Sequence, residues 1–318
     1  MSTSLNSPPS VKFNVRVNQY RYSYEDLRRI WLEADRLGYY SASVFDLLNT
    51  DALECWTTLT ALLAQTQRIR ALPMVLANPY RHPALLAKMA ATLDVISGGR
   101  VTIGIGAGGS RSDTRSSGLA FPSTSERCEM LEESVHFIRR LWTEPSVTFE
   151  GRYYSIDGAT IQPKPVQQPT PPIFVGGHGP LYVMPTIGRI ADIANVGNND
   201  TVNDHLMHQS IVFRAAEDAG RDPSTIEWTH NADCVIAPTQ REYDALVAQL
   251  AQEAGVTAYE YQSQRLQNTL SGTPEQVADR INEYVEFGIR YFCIVFSYPT
   301  PSETLALFAD EVMAKFNG

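Results

Sequence analysis

The chain has 318 residues, of which 43% are hydrophobic and 19% charged, and its formal net charge is −9. That composition supports a sizeable buried core and excludes wholesale disorder. An acidic chain without a basic cluster is a poor nucleic-acid binder, and no stretch reaches the roughly 18 apolar residues of a membrane span.

Met1–Ser10 is polar and proline-containing, lacks the features of a signal peptide, and reads as a flexible N-terminal tail. Val11–Val17 reads as a first strand. Ser23 resembles an N-cap with Asp26 three residues on, and the helix it opens runs to Gly38, a good C′ residue. Tyr39–Phe45 is a second strand, Leu53–Gln65 has helical spacing, Ile69–Leu76 is a third strand and Pro83–Ile96 a third helix. Arg100–Ala107 is a fourth strand, apolar almost throughout, as a strand buried on both faces is. Ser125–Trp142 is a long amphipathic helix. Val147–Gln168, with Gly151, Tyr153, Tyr154 and Gly158 ahead of Pro163, Pro165 and Pro169, predicts a short hairpin and a proline-stiffened excursion. It marks an insertion at about 145–171.

The alternation resumes with a fifth strand at Pro172–Val175, a helix at Leu181–Ile190, a sixth strand at Asp192–Val196 and a helix at Asp204–Ala219. Thr225–Ile236 contains a seventh strand, and Gln240–Gln252 is helical. Glu253–Leu270 reads as irregular. Thr273, Pro274 and Gln276 supply N-cap, N1 and N3 of a helix that ends at Gly288. Arg290–Phe296 is the eighth strand and Ser302–Phe316 the last helix.

Eight strands alternating with helices predict a parallel sheet with right-handed crossovers. Residues 11–318 then form one α/β domain, a closed (β/α)8 TIM barrel, with an open doubly wound sheet as the alternative. A barrel places its active site at the C-terminal ends of its strands.

Two glycine-rich loops fall at such ends. Gly104-Ile-Gly106-Ala107-Gly108-Gly109-Ser110 follows strand four, where glycines serve either a phosphate or tight barrel packing. Gly176-Gly177-His178-Gly179-Pro180 precedes a helix N-terminus, where free amides and the helix dipole favour an anion. Asp46 ends strand two and is a candidate for cofactor contact or proton transfer, or for a buried structural bond. Asn18, Gln19 and Tyr20 end strand one, Asn195, Asn198 and Asn199 follow strand six, and Ser297 and Tyr298 follow strand eight. These neutral groups suit a flat, uncharged ring.

His82 sits between Arg81 and Pro83 at a helix start. His205, His208 and His230 show no ligand spacing, so no metal constellation emerges. Cys55, Cys128, Cys234 and Cys293 read as buried structural thiols of a cytoplasmic protein.

Several stretches carry a family resemblance. They are Pro-Tyr-Arg-His-Pro through Gly-Ile-Gly-Ala-Gly within Asn78–Gly109, Arg127–Trp142 followed by Phe149-Glu-Gly-Arg-Tyr-Tyr, Pro163-Lys-Pro-Val-Gln through Pro172-Ile-Phe-Val-Gly-Gly, and Ser271-Gly-Thr-Pro-Glu-Gln-Val-Ala. On these the chain resembles the luciferase-like monooxygenase superfamily, and most its branch using the deazaflavin coenzyme F420. The resemblance implies a barrel with inserted segments, often a homodimer. A deazaflavin or FMN would lie across the strand ends, its phosphate near Gly176–Gly179 and Gly106–Gly109. It also implies a non-proline cis peptide near Pro73-Met74-Val75, and it adds those residues, Asp46, Ala107 and His178 to the cofactor-binding set.

One departure matters. Many deazaflavin members read Asp-His at the end of strand two, and here the pair is Asp46-Leu47. Leu neither titrates nor donates. The work of that His then falls to Tyr20, His82 or His178, or the chemistry differs; Asp46, Tyr20 and His82 are the catalytic candidates. The resemblance implies hydride transfer at the deazaflavin C5 to or from a small organic substrate. Reduced-FMN-dependent monooxygenation and a flavin-binding barrel without redox turnover are the alternatives. The substrate pocket is expected from loops including Ser110–Pro122 and Glu253–Leu270, where Tyr259, Tyr261 and Arg265 form either a lid or a solvated loop.

Overall fold

A computed structural model describes residues 10–17, 19, 20, 22–296 and 302–316. Asn18, Ser297 and Tyr298 lie outside the described residues, as does the tail before Ser10. The chain runs β1 (Lys12–Arg16), α1 (Tyr24–Leu37), β2 (Ser41–Val44), α2 (Cys55–Leu63), β3 (Arg70–Pro73), β4 (Leu76–Ala77), α3 (Pro83–Ser97), β5 (Ile103–Gly106), α4 (Arg111–Ser116) and α5 (Thr124–Thr143). A hairpin of β6 (Val147–Glu150) and β7 (Ser155–Ala159) follows, then β8 (Ile173–Gly176), α6 (Val183–Ile190), β9 (Ile193–Asn195) and α7 (Val202–Asp218). The remainder is β10 (Glu227–Ile236), α8 (Gln240–Ala254), α9 (Ala258–Arg265), β11 (Leu270–Gly272), α10 (Pro274–Phe287), β12 (Tyr291–Phe296) and α11 (Ser302–Glu311).

The large sheet has the order β3-β2-β1-β12-β10-β9-β8-β5-β4, and these neighbours pair in parallel. Its two ends, β3 and β4, are consecutive pieces of one segment, separated by the cis Met74–Val75 peptide. β3 follows β2, while β4 pairs with β5 at Leu76↔Ile105 and Ala71 bridges to Val101. The sheet therefore closes as a (β/α)8 barrel whose third strand is broken, where the sequence predicts one unbroken strand over Ile69–Leu76. The non-proline cis peptide falls where the family resemblance implies it.

Two apolar layers hold the barrel. The larger lies between strands and helices and includes Phe13, Trp31, Leu59, Phe137, Phe292 and Phe308, all essentially solvent-free. The smaller fills the barrel's interior with Leu72, Met74, Phe174, Ile193, Tyr291 and Cys293. Local signals set the helix ends. Ser23 and Asp26 form a reciprocal capping box on α1, Thr273 and Gln276 another on α10, and Gly38 and Gly288 end their helices at φ 86° and 108°. Each side-chain cap is worth about 1 kcal/mol.

Glu253–Leu270 is not irregular. It contains α9, opened by a Thr257–Glu260 capping box, and Tyr259 on it is 81% exposed. That helix buries no side chain, so it carries no apolar period to read. The four cysteines are buried and free, and burial pushes the Cys293 thiol up to about 12. No described helix is long and apolar enough to cross a membrane.

Candidate active site

At the carboxyl ends of the barrel strands lies a cleft of about 500 Å³. Phe45, Leu47, Met74, Val75 and Ala77 give it an apolar wall. Backbone from β5 and β8 gives it a floor of little bulk, and each glycine there has its own reason. A Cβ on Gly104 would sit 1.8 Å from the Pro73 carbonyl oxygen, so the first glycine of the GxG pair serves strand packing. A Cβ on Gly106 would meet Val75 Cγ2 at 2.9 Å and the Gly176 carbonyl oxygen at 2.7 Å, and one on Gly176 would meet Val75 Cγ1 at 2.8 Å. These two glycines let the Val75 bulge press in between β5 and β8. Gly108 and Gly179 hold φ of 80° and 136°, which L side chains rarely adopt. Gly109 has open space where a side chain would go.

Ten of the residues expected to hold a cofactor border the cleft: Asp46, Met74, Val75, Gly106, Ala107, Gly108, Gly109, Gly176, Gly177 and His178. Pro73 and Gly179 do not. The Gly177 amide is spent on the Asn195 carbonyl at 3.1 Å, so an anion in the Gly176–Gly179 turn must look to the amides beyond it.

Asp46 is hydrogen-bonded on both carboxylate oxygens. Its side chain is fully buried, and it takes Arg81 Nη1 at 2.7 Å, Arg81 Nη2 at 2.9 Å and the Ala77 amide at 2.9 Å. Glu54, the N-cap of α2, takes a further bond from Arg81 at 2.7 Å. Burial pulls the Arg81 guanidinium down, but its bonds to the two carboxylates outweigh that and leave it raised. Asp46 thus locks β4, beside the Val75 bulge, to the turn before α3.

The other catalytic candidates lie apart from the cleft lining. His82 is the N-cap of α3, where Nδ1 accepts from the Ala84 amide at 3.2 Å. Its ring packs edge-on to Tyr154 at 5.5 Å and Phe137 at 6.1 Å. Tyr20 lies in the turn after β1, 37% exposed. His178 borders both the cleft and an adjoining polar recess lined by Asn195, Asn198, Asp200 and Asn231.

The structure brings together histidines that the sequence leaves scattered. His205 Nε2 lies 2.9 Å from His230 Nδ1, and the Trp228 indole donates to His205 Nδ1 at 2.9 Å. The indole bond puts the His205 proton on Nε2, so His205 donates to His230. Tyr284 stacks on His230 with ring centroids 4.0 Å apart. Burial lowers His205 to about 4 and carries His230 well below its ordinary value. This is a neutral pair in the layer beneath α7 and α10, and no metal-holding group forms among the described residues.

Sequence reasoning missed Arg16, Tyr80 and Arg127, all of which border the cleft. Arg127, on the first turn of α5, donates to the Gly108 carbonyl at 3.0 Å and the Pro122 carbonyl at 2.5 Å and stacks 3.9 Å from the Phe121 ring centroid. It ties the loop after β5 to α5. Arg16 shares the inward phase of β1 with Asn14, two residues before it, and that phase is its single trace in the sequence.

Fold and cleft together describe a (β/α)8 barrel with a cleft at the carboxyl ends of its strands. The chain belongs to the luciferase-like monooxygenase family, whose model matches residues 10–291. An F420-dependent glucose-6-phosphate dehydrogenase of Nakamurella multipartita is 29% identical, with 97% of each chain covered. An FMNH(2)-dependent dimethylsulfone monooxygenase of Pseudomonas putida is 27% identical over 68% of this chain and 58% of its own. Among solved structures, the coenzyme F420-dependent tetrahydromethanopterin reductase of Methanopyrus kandleri superposes with a TM-score of 0.78 at 22% identity, covering 97% of this chain and 100% of its own.

Proposed function

We propose that this oxidoreductase uses coenzyme F420 and moves a hydride between the deazaflavin and a small organic substrate. The cleft carries the reading: the Val75 bulge, seated on Gly106 and Gly176, faces a space with small or absent side chains along β5 and β8. A Cβ at either glycine would drive Val75 out of place, so the chain is built to keep that surface as it is. Near-full-length similarity to an F420-dependent relative supports the choice of deazaflavin.

The residues that would hold the ring are Met74, Val75, Gly106 and Ala107, with Gly108, Gly109, Gly176, Gly177 and His178 toward the phosphate and Pro73 and Gly179 flanking. When bound, the deazaflavin supplies C5 as the hydride carrier. The protein supplies the rest. Phe45, Leu47 and Ala77 exclude water from the space beside the bulge. Asp46 positions β4 through Arg81 rather than moving a proton. Tyr80 and His178 are titratable groups that border the cleft, and proton handling is assigned to them ahead of Tyr20 and His82. We place the protein in the cytoplasm as a homodimer.

The monooxygenase relative favours reduced FMN as a second reading. Titrating the protein with oxidised and reduced F420 and FMN, followed by fluorescence, separates the two. Tight binding of the deazaflavin alone is expected. A preference for reduced FMN moves the protein to the oxygenase reading, and binding of neither overturns the cofactor assignment.

A further inference from the structure

Three side chains of β1 follow the inward phase, two residues apart. Lys12 pairs with Glu227 at 2.7 Å near the strand's start. Asn14 is used up inside the barrel, donating to Ser41 Oγ at 2.8 Å and accepting from Ser43 Oγ at 3.0 Å. Arg16 is the last, and it borders the cleft.

Its surroundings are polar and almost fully matched to one another. Asn195 donates to Thr229 Oγ1 at 2.7 Å and to Asn231 Oδ1 at 2.8 Å, and Asn231 donates back to Asn195 Oδ1 at 3.0 Å and to the Gly197 carbonyl at 2.7 Å. Asp233 accepts from Asn199 at 2.7 Å and Asn198 at 3.3 Å. Arg16 is the exception. Its Nη1 donates to Asn198 Oδ1 at 2.9 Å, its Nε is buried without a partner among the described residues, and its plane lies 5.1 Å from the Phe45 ring centroid. Asn198 thus stands between Arg16 and Asp233, and the two charges, though near enough to feel each other, form no direct pair. The other cleft guanidinium, Arg127, spends three of its five donors on Gly108, Pro122 and Thr124 and is held against the Phe121 ring. In the barrel ring β1 lies opposite β8, so Arg16 meets the cleft from the side away from the Gly176–Gly179 turn.

We propose that Arg16 is a specificity-determining residue that receives a carboxylate of the substrate, which makes the substrate a small organic acid rather than a phosphate ester. The proposal rests on the reading of this cleft as the substrate site of a deazaflavin enzyme. A planar guanidinium with spare donors fits a planar carboxylate, and one cation balances one carboxylate charge. A phosphate dianion is matched better by two cations or a run of free amides, and on this side of the cleft Arg16 faces it alone, Arg127 being turned to Gly108, Pro122 and Thr124.

The test uses benzoate, 3-phenylpropionate and acetate against their neutral amides and against glucose 6-phosphate. Binding to F420-saturated protein is read by deazaflavin fluorescence, and binding to the protein alone by thermal shift. At least one acid is expected to bind about 10-fold or more tightly than its own amide. Arg16→Met should abolish that preference while F420 affinity stays within about two-fold. Arg16→Lys keeps the charge, should fold where the Met variant does not, and should retain part of the preference. Acids and amides binding alike overturns the proposal, as does tighter binding of glucose 6-phosphate than of any acid. An Arg16→Met variant that keeps the preference and loses F420 also overturns it, because Arg16 then belongs to the cofactor. Failure to bind F420 at all sinks the cofactor reading instead, and the thermal-shift arm still decides the acid preference.

Discussion

Asp46 and Arg81 form a two-pronged ion pair at the rim of the barrel, with Nη1 on Oδ2 at 2.7 Å and Nη2 on Oδ1 at 2.9 Å. The carboxylate that the strand pattern offers as a proton carrier is occupied on both oxygens. Asp46→Asn should therefore destabilise the fold by about 2–4 kcal/mol, less than a fully orphaned buried charge costs because Glu54 still holds Arg81. The pH profile of turnover should keep its shape. Urea denaturation and kcat against pH check this, and loss of one limb of the profile would return Asp46 to proton transfer.

Gly104 and Gly109 lie in the same motif but should behave oppositely on gaining a methyl group. At Gly104 the Cβ would overlap the Pro73 carbonyl, so Gly104→Ala is expected to lower Tm steeply or prevent folding. At Gly109 nothing lies within 4 Å. Gly109→Ala should leave Tm within about 2 °C and weaken cofactor binding, measured by fluorescence titration, if that backbone faces the ligand.

His82→Gln and Tyr20→Phe should leave kcat within about two-fold of the parent, since neither side chain borders the cleft. His82→Gln should cost about 1 kcal/mol of stability through loss of the α3 cap. A tenfold fall in kcat at unchanged stability would restore His82 to the catalytic set.

The buried His205–His230 pair predicts an acid-sensitive fold. An unfolded His takes its proton near pH 6.5, whereas burial holds folded His205 near 4. Between those values the unfolded chain binds more protons, so stability is full above about pH 6.5 and falls as pH drops toward 4. The slope from His205 is up to about 1.4 kcal/mol per pH unit. Chemical denaturation at pH 7.5 and 5 should show the loss, and His205→Gln should shrink the difference between the two.

Much of this was readable from the chain. Ser23, Gly38, Thr273 and Gly288 carry their structure in local chemistry, and eight alternating units favoured a closed barrel over an open sheet. The break in the third strand was not readable from periodicity, because Pro73, Met74 and Val75 continue an apolar run whichever way the backbone turns. α9 was missed because it is almost all exposed, with Tyr261 alone half-buried against the cluster on α8. In the site, the glycine loops announced themselves, but which neighbour each glycine serves depends on contacts across strands. Asp46 and His82 looked reactive by type, and their partners, Arg81 and the Ala84 amide, could not be read from the chain. Arg16 was overlooked for the converse reason: a lone charge in a strand has no motif, and its meaning lies in the bonds its neighbours do not make.

Val75 is gripped from two strands at once, by Gly106 on β5 and Gly176 on β8. For anyone reshaping this enzyme, positions 75, 106 and 176 are one locus. A bulkier residue at either glycine becomes admissible only with a smaller one at 75, and that exchange would retract the bulge from the cleft. Libraries that vary the three singly should return mostly dead variants, while those that vary them jointly reach new shapes of the same cleft.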